Sequence, residues 1–101
     1  MLDCKRNKST LTIKLSGELD HHYVERIRRE LDEMAADPQV KQIIFDLSKL
    51  TFMDSSGIGM IIGRYKQMAR RGGKVSVRCS KGRVDRIFEM AGLYQIIEKL
   101  A

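Results

Sequence analysis

Two short stretches of this chain carry the residues best suited to chemistry. Met53-Asp54-Ser55-Ser56-Gly57 sets a carboxylate and two hydroxyls at the start of an apolar run, and Gly17-Glu18-Leu19-Asp20-His21-His22, with Glu25 close behind, gathers carboxylates and imidazoles. Such groups serve four chemistries. A serine beside a general base is a nucleophile. Clustered imidazoles and carboxylates hold a metal. A glycine-rich turn cradles phosphate. A hydroxyl at a helix start either caps the helix or accepts a phosphoryl group.

Spacing separates these readings. Gly57, Gly59 and Gly63 spell G-x-G-x-x-x-G, one residue away from the dinucleotide fingerprint, and no strand leads directly into the glycines. No G-x-x-x-x-G-K-[ST] occurs; Arg71-Gly72-Gly73-Lys74 lacks both the upstream glycine and the following hydroxyl. Gly57 and Gly59 are instead expected to let the first helical turn lie close to a sheet or a partner. Gly59 and Gly63, four apart on one face, are expected to permit close packing. A nucleophile elbow needs G-x-S-x-G, and neither Ser55 nor Ser56 has the upstream glycine. His21 and His22 are the only imidazoles; as neighbours on a helix they point about 100° apart, so both cannot address one serine. Glu18, Asp20, His21, His22 and Glu25 supply at most a partial ligand set, and a structural metal asks for four ligands. Acidic residues near a helix start offset its dipole without any metal, so no metal and no cofactor is expected.

What remains is a helix N-terminus at Asp54, Ser55 and Ser56. Its unsatisfied N–H groups and partial positive charge favour anions. Asp54 or Ser55 can cap it. A phosphoserine there is tolerated by its own fold, opposed by the neighbouring Asp54, and changes one surface spot by about two charges. The residues by themselves do not choose between Ser55 and Ser56.

The elements that must position these groups follow from periodicity. Residues 1–6 read as a short strand, and Arg6, Asn7 and Lys8 as a turn. Leu11, Ile13 and Leu15 alternate with polar residues, the pattern of a half-buried strand, which Gly17 breaks. Asp20 is a good N-cap for a helix carrying Val24, Ile27, Leu31 and Met34 at spacings of three and four, ended by Asp37-Pro38. Ile43, Ile44, Phe45 and Leu47 make a short, nearly continuous apolar run, as in a strand of a parallel sheet; residues 48–54 read as a loop. The next helix puts Ile58, Ile61, Ile62, Tyr65, Met68 and Ala69 inward and Arg64, Lys66, Gln67, Arg70 and Arg71 outward, and stops at Gly72-Gly73. Val75, Val77 and Cys79 share a face of the next strand. Ser80 is positioned to cap a third helix, with Val84, Ile87, Phe88 and Ala91 inward and Gly92 at its end. Residues 94–100 form a last strand. The order ββαβαβαβ predicts an α/β fold with a mixed, mostly parallel sheet, right-handed crossovers and an antiparallel first hairpin.

A length of 101 residues suits one domain spanning 1–101, and a composition of 43% hydrophobic and 32% charged residues is that of an ordinary globular protein. No apolar run approaches the roughly 20 residues of a membrane span, and the first ten residues lack the apolar core of a secretory signal. Cys4 and Cys79, far apart and without metal spacing, read as free thiols of a reducing, cytoplasmic compartment. The net charge of +6 raises the question of nucleic acid, but the 19 Lys and Arg are dispersed and only 6% of residues are aromatic, so no basic groove with stacking rings is expected.

Gly17-Glu18-Leu19-Asp20-His21-His22, followed by residues 46–67 with Phe52-Met53-Asp54-Ser55-Ser56-Gly57 and Gly63-Arg64-Tyr65-Lys66-Gln67, resembles the STAS family of anti-sigma factor antagonists. Residues 72–77 and 84–97 fit the same pattern, so the resemblance covers essentially the whole chain. It implies a central sheet packed with helices and a protein that is not an enzyme but the substrate of one. The unphosphorylated antagonist binds an anti-sigma factor serine kinase carrying an adenine nucleotide and frees a sporulation sigma factor, or, in the alternative, acts in a general stress-response pathway. Phosphorylation inactivates it and a serine phosphatase reverses this. The resemblance assigns the phosphorylated residue to Ser55, the serine directly after Asp54. It puts Glu18, Asp20, Asp54, Ser55, Ser56 and Gly57 at the partner contact, with Gly57 keeping the helix start open.

Overall fold

A computed structural model describes residues 2–100. Five strands form one sheet in sequential order. Strand β1 (Leu2–Asn7) pairs antiparallel with β2 (Thr10–Leu19); β3 (Gln42–Met53), β4 (Lys74–Arg78) and β5 (Glu98–Leu100) follow in parallel. Helices α1 (His21–Ala35), α2 (Ser55–Ala69) and α3 (Arg83–Met90) connect successive parallel strands. The expected α/β order is therefore observed, apart from Met1 of the first strand, which lies outside the described residues.

The apolar alternation becomes two rows across the sheet. Leu11, Ile43 and Val75 stand in register, as do Ile13, Phe45 and Val77, and all six are buried. Val24, Ile27 and Leu31 of α1, Met60, Ile61 and Met68 of α2, and Val84 and Phe88 of α3 belong to the same core. Fully burying one such side chain contributes roughly 1.5–3 kcal/mol.

Several expectations need correction. Arg6 and Asn7 are still in β1, and the chain reverses at Lys8, in the left-handed region at φ 58°. Gly17 does not end β2. It takes φ +89° beside a register irregularity, and the strand runs on to Leu19. The predicted loop after Leu47 is mostly strand, because this extension of β2 gives residues 49–53 a partner: Ser16 opposes Lys49, Gly17 opposes Leu50, and Leu19 opposes Met53. The buried stripe of α2 is rotated from the expected one: Met60 is buried, Ile58, Ile62 and Tyr65 are half-buried, and Ala69 is exposed.

Arg64 and Arg71 do not point to solvent. Arg64 pairs with Asp32 of α1, and the Arg71 Nη2 donates to the carbonyls of Ala35, Asp37 and Val40, closing the C-terminal end of α1. Gly82, at φ +153°, rather than Ser80 precedes α3, and Ala91 is exposed. Residues 94–100 split into a 3-10 turn (Leu93–Gln95) and β5. As expected, Gly92 ends α3 in the left-handed conformation, and both cysteines are free thiols. Among the described residues no helix is long and apolar enough to cross a membrane.

Candidate functional site

The two stretches singled out by their chemistry meet at the C-terminal ends of two neighbouring parallel strands. Leu19 of β2 and Met53 of β3 are register partners. Each is followed by an aspartate and then a helix, so the units Leu19-Asp20-α1 and Met53-Asp54-α2 lie side by side. Both aspartates are extended and cap their helices. Asp20 Oδ1 accepts from the Tyr23 N–H at 2.9 Å. Asp54 Oδ1 accepts from the N–H groups of Ser56 at 2.9 Å and Gly57 at 3.3 Å. The Asp54 N–H donates to the Leu19 carbonyl at 3.3 Å, stitching one unit to the other.

The cap is thus Asp54 and not Ser55. Ser55 occupies the first helical position with its side chain exposed, whereas Ser56 is half-buried and its Oγ lies 3.5 Å from Nδ1 of His21. The fold brings His21 to Ser56 rather than to Ser55. Among the described residues no acid holds the other nitrogen of His21, and His22 meets it edge-on with ring centroids 5.9 Å apart. This is not the nucleophile–base–orienter chain of a hydrolase. No group of three or more potential metal ligands occurs among the described residues.

Gly57 is buried beneath the start of α2. A Cβ there would lie 2.7 Å from Met53 Cγ and 2.9 Å from Leu19 Cδ2, both in buried side chains. Its missing side chain therefore lets the helix start sit directly on the two strand ends. Gly59 and Gly63 face open space and do not form the expected close-packed stripe. Glu18 is exposed and Asp20 half-buried. With His22 and Glu25 they border an open depression of about 590 Å³ next to the start of α1. Arg26, stacked over the Tyr23 ring, borders the same depression, so its rim carries both signs of charge.

Neither thiol offers an alternative nucleophile. Burial, reinforced by Glu30 and Asp3, pushes Cys4 up to about 11. Burial and Asp85 push Cys79 upward as well. Both stay protonated near neutrality, and a thiolate is the reactive form.

Sequence reasoning missed the Leu19–Met53 register and the His21–Ser56 approach. The signal was there as a repeated pattern, apolar residue then Asp then helix, in Leu19-Asp20-His21-His22 and Met53-Asp54-Ser55-Ser56. Reading residues 48–54 as a loop hid it.

Fold and site together define an α/β domain that presents an exposed hydroxyl on a capped helix start instead of a catalytic pocket. The chain belongs to the STAS domain family, whose model matches residues 1–101. It is 38% identical over 95% of its length to an anti-sigma F factor antagonist of Paenibacillus polymyxa, of which the match covers 82%. It is 28% identical over 96% of its length to an anti-sigma-B factor antagonist of Bacillus subtilis, covering 87% of that protein. Its fold matches the anti-sigma factor antagonist SpoIIAA in unphosphorylated form with a TM-score of 0.87 at 30% identity, covering all of this chain and 89% of the other. The phosphorylated form of a Bacillus SpoIIAA matches with a TM-score of 0.80 at 29% identity, covering all of this chain and 92% of that one.

Proposed function

We propose that this chain is an anti-sigma factor antagonist switched by phosphorylation of Ser55. The observation that carries the reading is the division of labour at the start of α2: Asp54 caps, Ser56 packs toward His21, and Ser55 alone presents a hydroxyl with no structural duty. That a relative has been solved in unphosphorylated and phosphorylated forms supports the same switch. The chain is then a substrate and not an enzyme.

In this reading the unphosphorylated surface, made of Glu18, Asp20, Asp54, Ser55 and Ser56, binds an anti-sigma factor serine kinase with its adenine nucleotide, and the kinase gives up a sporulation sigma factor. Gly57 contributes from beneath by fixing how closely α2 approaches the strands. The kinase then transfers the γ-phosphoryl of ATP to the Ser55 Oγ. The bond to the ADP oxygen breaks, the new P–O bond forms, and the hydroxyl proton leaves. The added charge of about −1.5 to −2 lands beside the Asp54 carboxylate and opposes rebinding. A serine phosphatase restores the hydroxyl. The 28% identity to an anti-sigma-B factor antagonist favours one second reading, in which the same switch serves a general stress pathway.

The test is incubation with the kinase and ATP, followed by mapping of the phosphate by mass spectrometry. Phosphate on Ser55, absent from Ser55→Ala, is expected. Ser55→Asp is expected to bind the kinase at least tenfold more weakly than the unmodified chain, about 1.4 kcal/mol. Transfer that persists in Ser55→Ala, or equal affinity of Ser55→Asp, overturns the reading.

A further inference from the structure

We infer that His21 is the counter-charge built into this switch, a positioning residue that holds the phosphate once Ser55 carries one. The inference rests on the phosphorylation reading above and adds to it the residue that receives the new charge. It follows from register. Leu19 and Met53 end their strands as partners, each strand is followed by one capping aspartate, and His21 and Ser55 are therefore the equivalent first residues of α1 and α2. Strands β2 and β3 are neighbours, so the two helix starts lie side by side at the same end of the sheet. Their reach is seen directly, since His21 Nδ1 already approaches Ser56 Oγ, one residue further along, at 3.5 Å.

Charge singles out His21. The charged and titratable groups at these two helix starts are Glu18 at the end of β2, Asp20, His21, His22, Glu25 and Arg26 at the start of α1, and Asp54 at the cap of α2. The carboxylates repel a phosphate. The cations on offer are Arg26, whose guanidinium lies over the Tyr23 ring at 5.4 Å from its centroid, and the two histidines. Of these, His22 borders the depression with Glu18 and Glu25, whereas His21 makes the contact with α2. His21 and Ser55 are both exposed.

The consequence is a linkage between the switch and protons. A phosphate dianion beside the imidazole favours imidazolium, and imidazolium favours the dianion. In the unmodified chain the same ring braces Ser56 against α1.

The test installs phosphoserine at position 55 during translation, so that no kinase is involved, and follows the phosphate by ³¹P NMR from pH 5 to pH 9. The phosphate titration of the His21→Gln protein, in which Asp54 and the helix start act as before, is the reference. In the unsubstituted chain the phosphate is expected to hold its last proton about threefold more weakly, the size of an exposed ion pair. His22→Gln is expected to follow the unsubstituted curve. His21→Arg is expected to keep the weaker proton binding, through charge rather than imidazole chemistry. Superimposed curves for the unsubstituted and His21→Gln proteins, or a change that follows His22 instead, overturn the inference. Absence of transfer to Ser55 by a kinase overturns the phosphorylation reading without altering these curves, so the two failures are distinct.

Discussion

At the scale of single residues, the start of α2 separates structure from signal. The Asp54 carboxylate occupies two N–H groups of the first turn, and losing such a cap costs about 1 kcal/mol. Asp54→Ala is therefore expected to lower the unfolding free energy by that amount in urea titrations. Ser55→Ala, at an exposed position whose hydroxyl supports nothing, is expected to stay within about 0.5 kcal/mol of the unsubstituted chain. Equal losses for the two variants would make Ser55 a structural residue and remove the basis for treating it as the free acceptor. Under the proposed switch, modification of Ser55 asks the fold to give up no hydrogen bond.

At the scale of elements, the glycines and arginines of α2 decide how rigidly the site is held. Gly57→Ala drives a Cβ into Met53 and Leu19, whose side chains are 2% and 0% exposed and have little room to yield. Overpacking of this kind costs about 1–3 kcal/mol, partly offset by the better helix propensity of alanine, about 1 kcal/mol. A net loss of about 1 kcal/mol is expected. Gly59→Ala meets open space and is expected to stabilise by up to about 1 kcal/mol. Thermal melts of the pair should move in opposite directions; a shift of the same sign would mean that the strand ends relax freely under α2. The helix is pinned to α1 by Arg64 on Asp32, and the chain just past its end is pinned by Arg71 on the carbonyls of Ala35, Asp37 and Val40. A helix so anchored presents a new charge at its start without moving as a body.

At the scale of the whole molecule, carboxylates tie distant segments together and set the response to acid. Asp37 is held below its ordinary range by the Gln39 N–H and by Arg6 of β1. Asp85 of α3 is held down by Lys99 of β5 and by the Tyr94 hydroxyl, and Glu98 by Lys74 and Ser76 of β4. At Asp46 burial pushes upward, but two hydrogen bonds from Ser48 prevail and the carboxyl is lowered. Each of these groups binds its proton more readily in the unfolded chain. Their contribution is complete above the unfolded carboxylate range near 4 and is lost as pH falls through the depressed folded values. Protonation also adds to a net charge that is already +6. Urea midpoints are expected to be level from about pH 5 to pH 8 and to fall below about pH 4. A midpoint that rises on acidification would contradict this account. Lys99, held above its ordinary value by Asp85, adds a loss of the opposite sense at strongly alkaline pH.

The sequence by itself determined the alternation of strands and helices, the inward faces of α1 and of the central strands, and the cap at Asp20. These are local properties: period, propensity and capping act over a few residues. Only the tertiary structure decided that β2 continues past Gly17 and draws residues 49–53 into the sheet, because a strand of weak local pattern forms when a partner satisfies its backbone. It also decided that Gly57 packs while Gly59 does not, and that Arg64 and Arg71 turn inward. Periodicity identifies a face but not what stands opposite it. The two serines, indistinguishable by residue type, were separated in space by the same cause. The register of two parallel strands sets His21 against Ser56 and leaves the hydroxyl of Ser55 facing solvent.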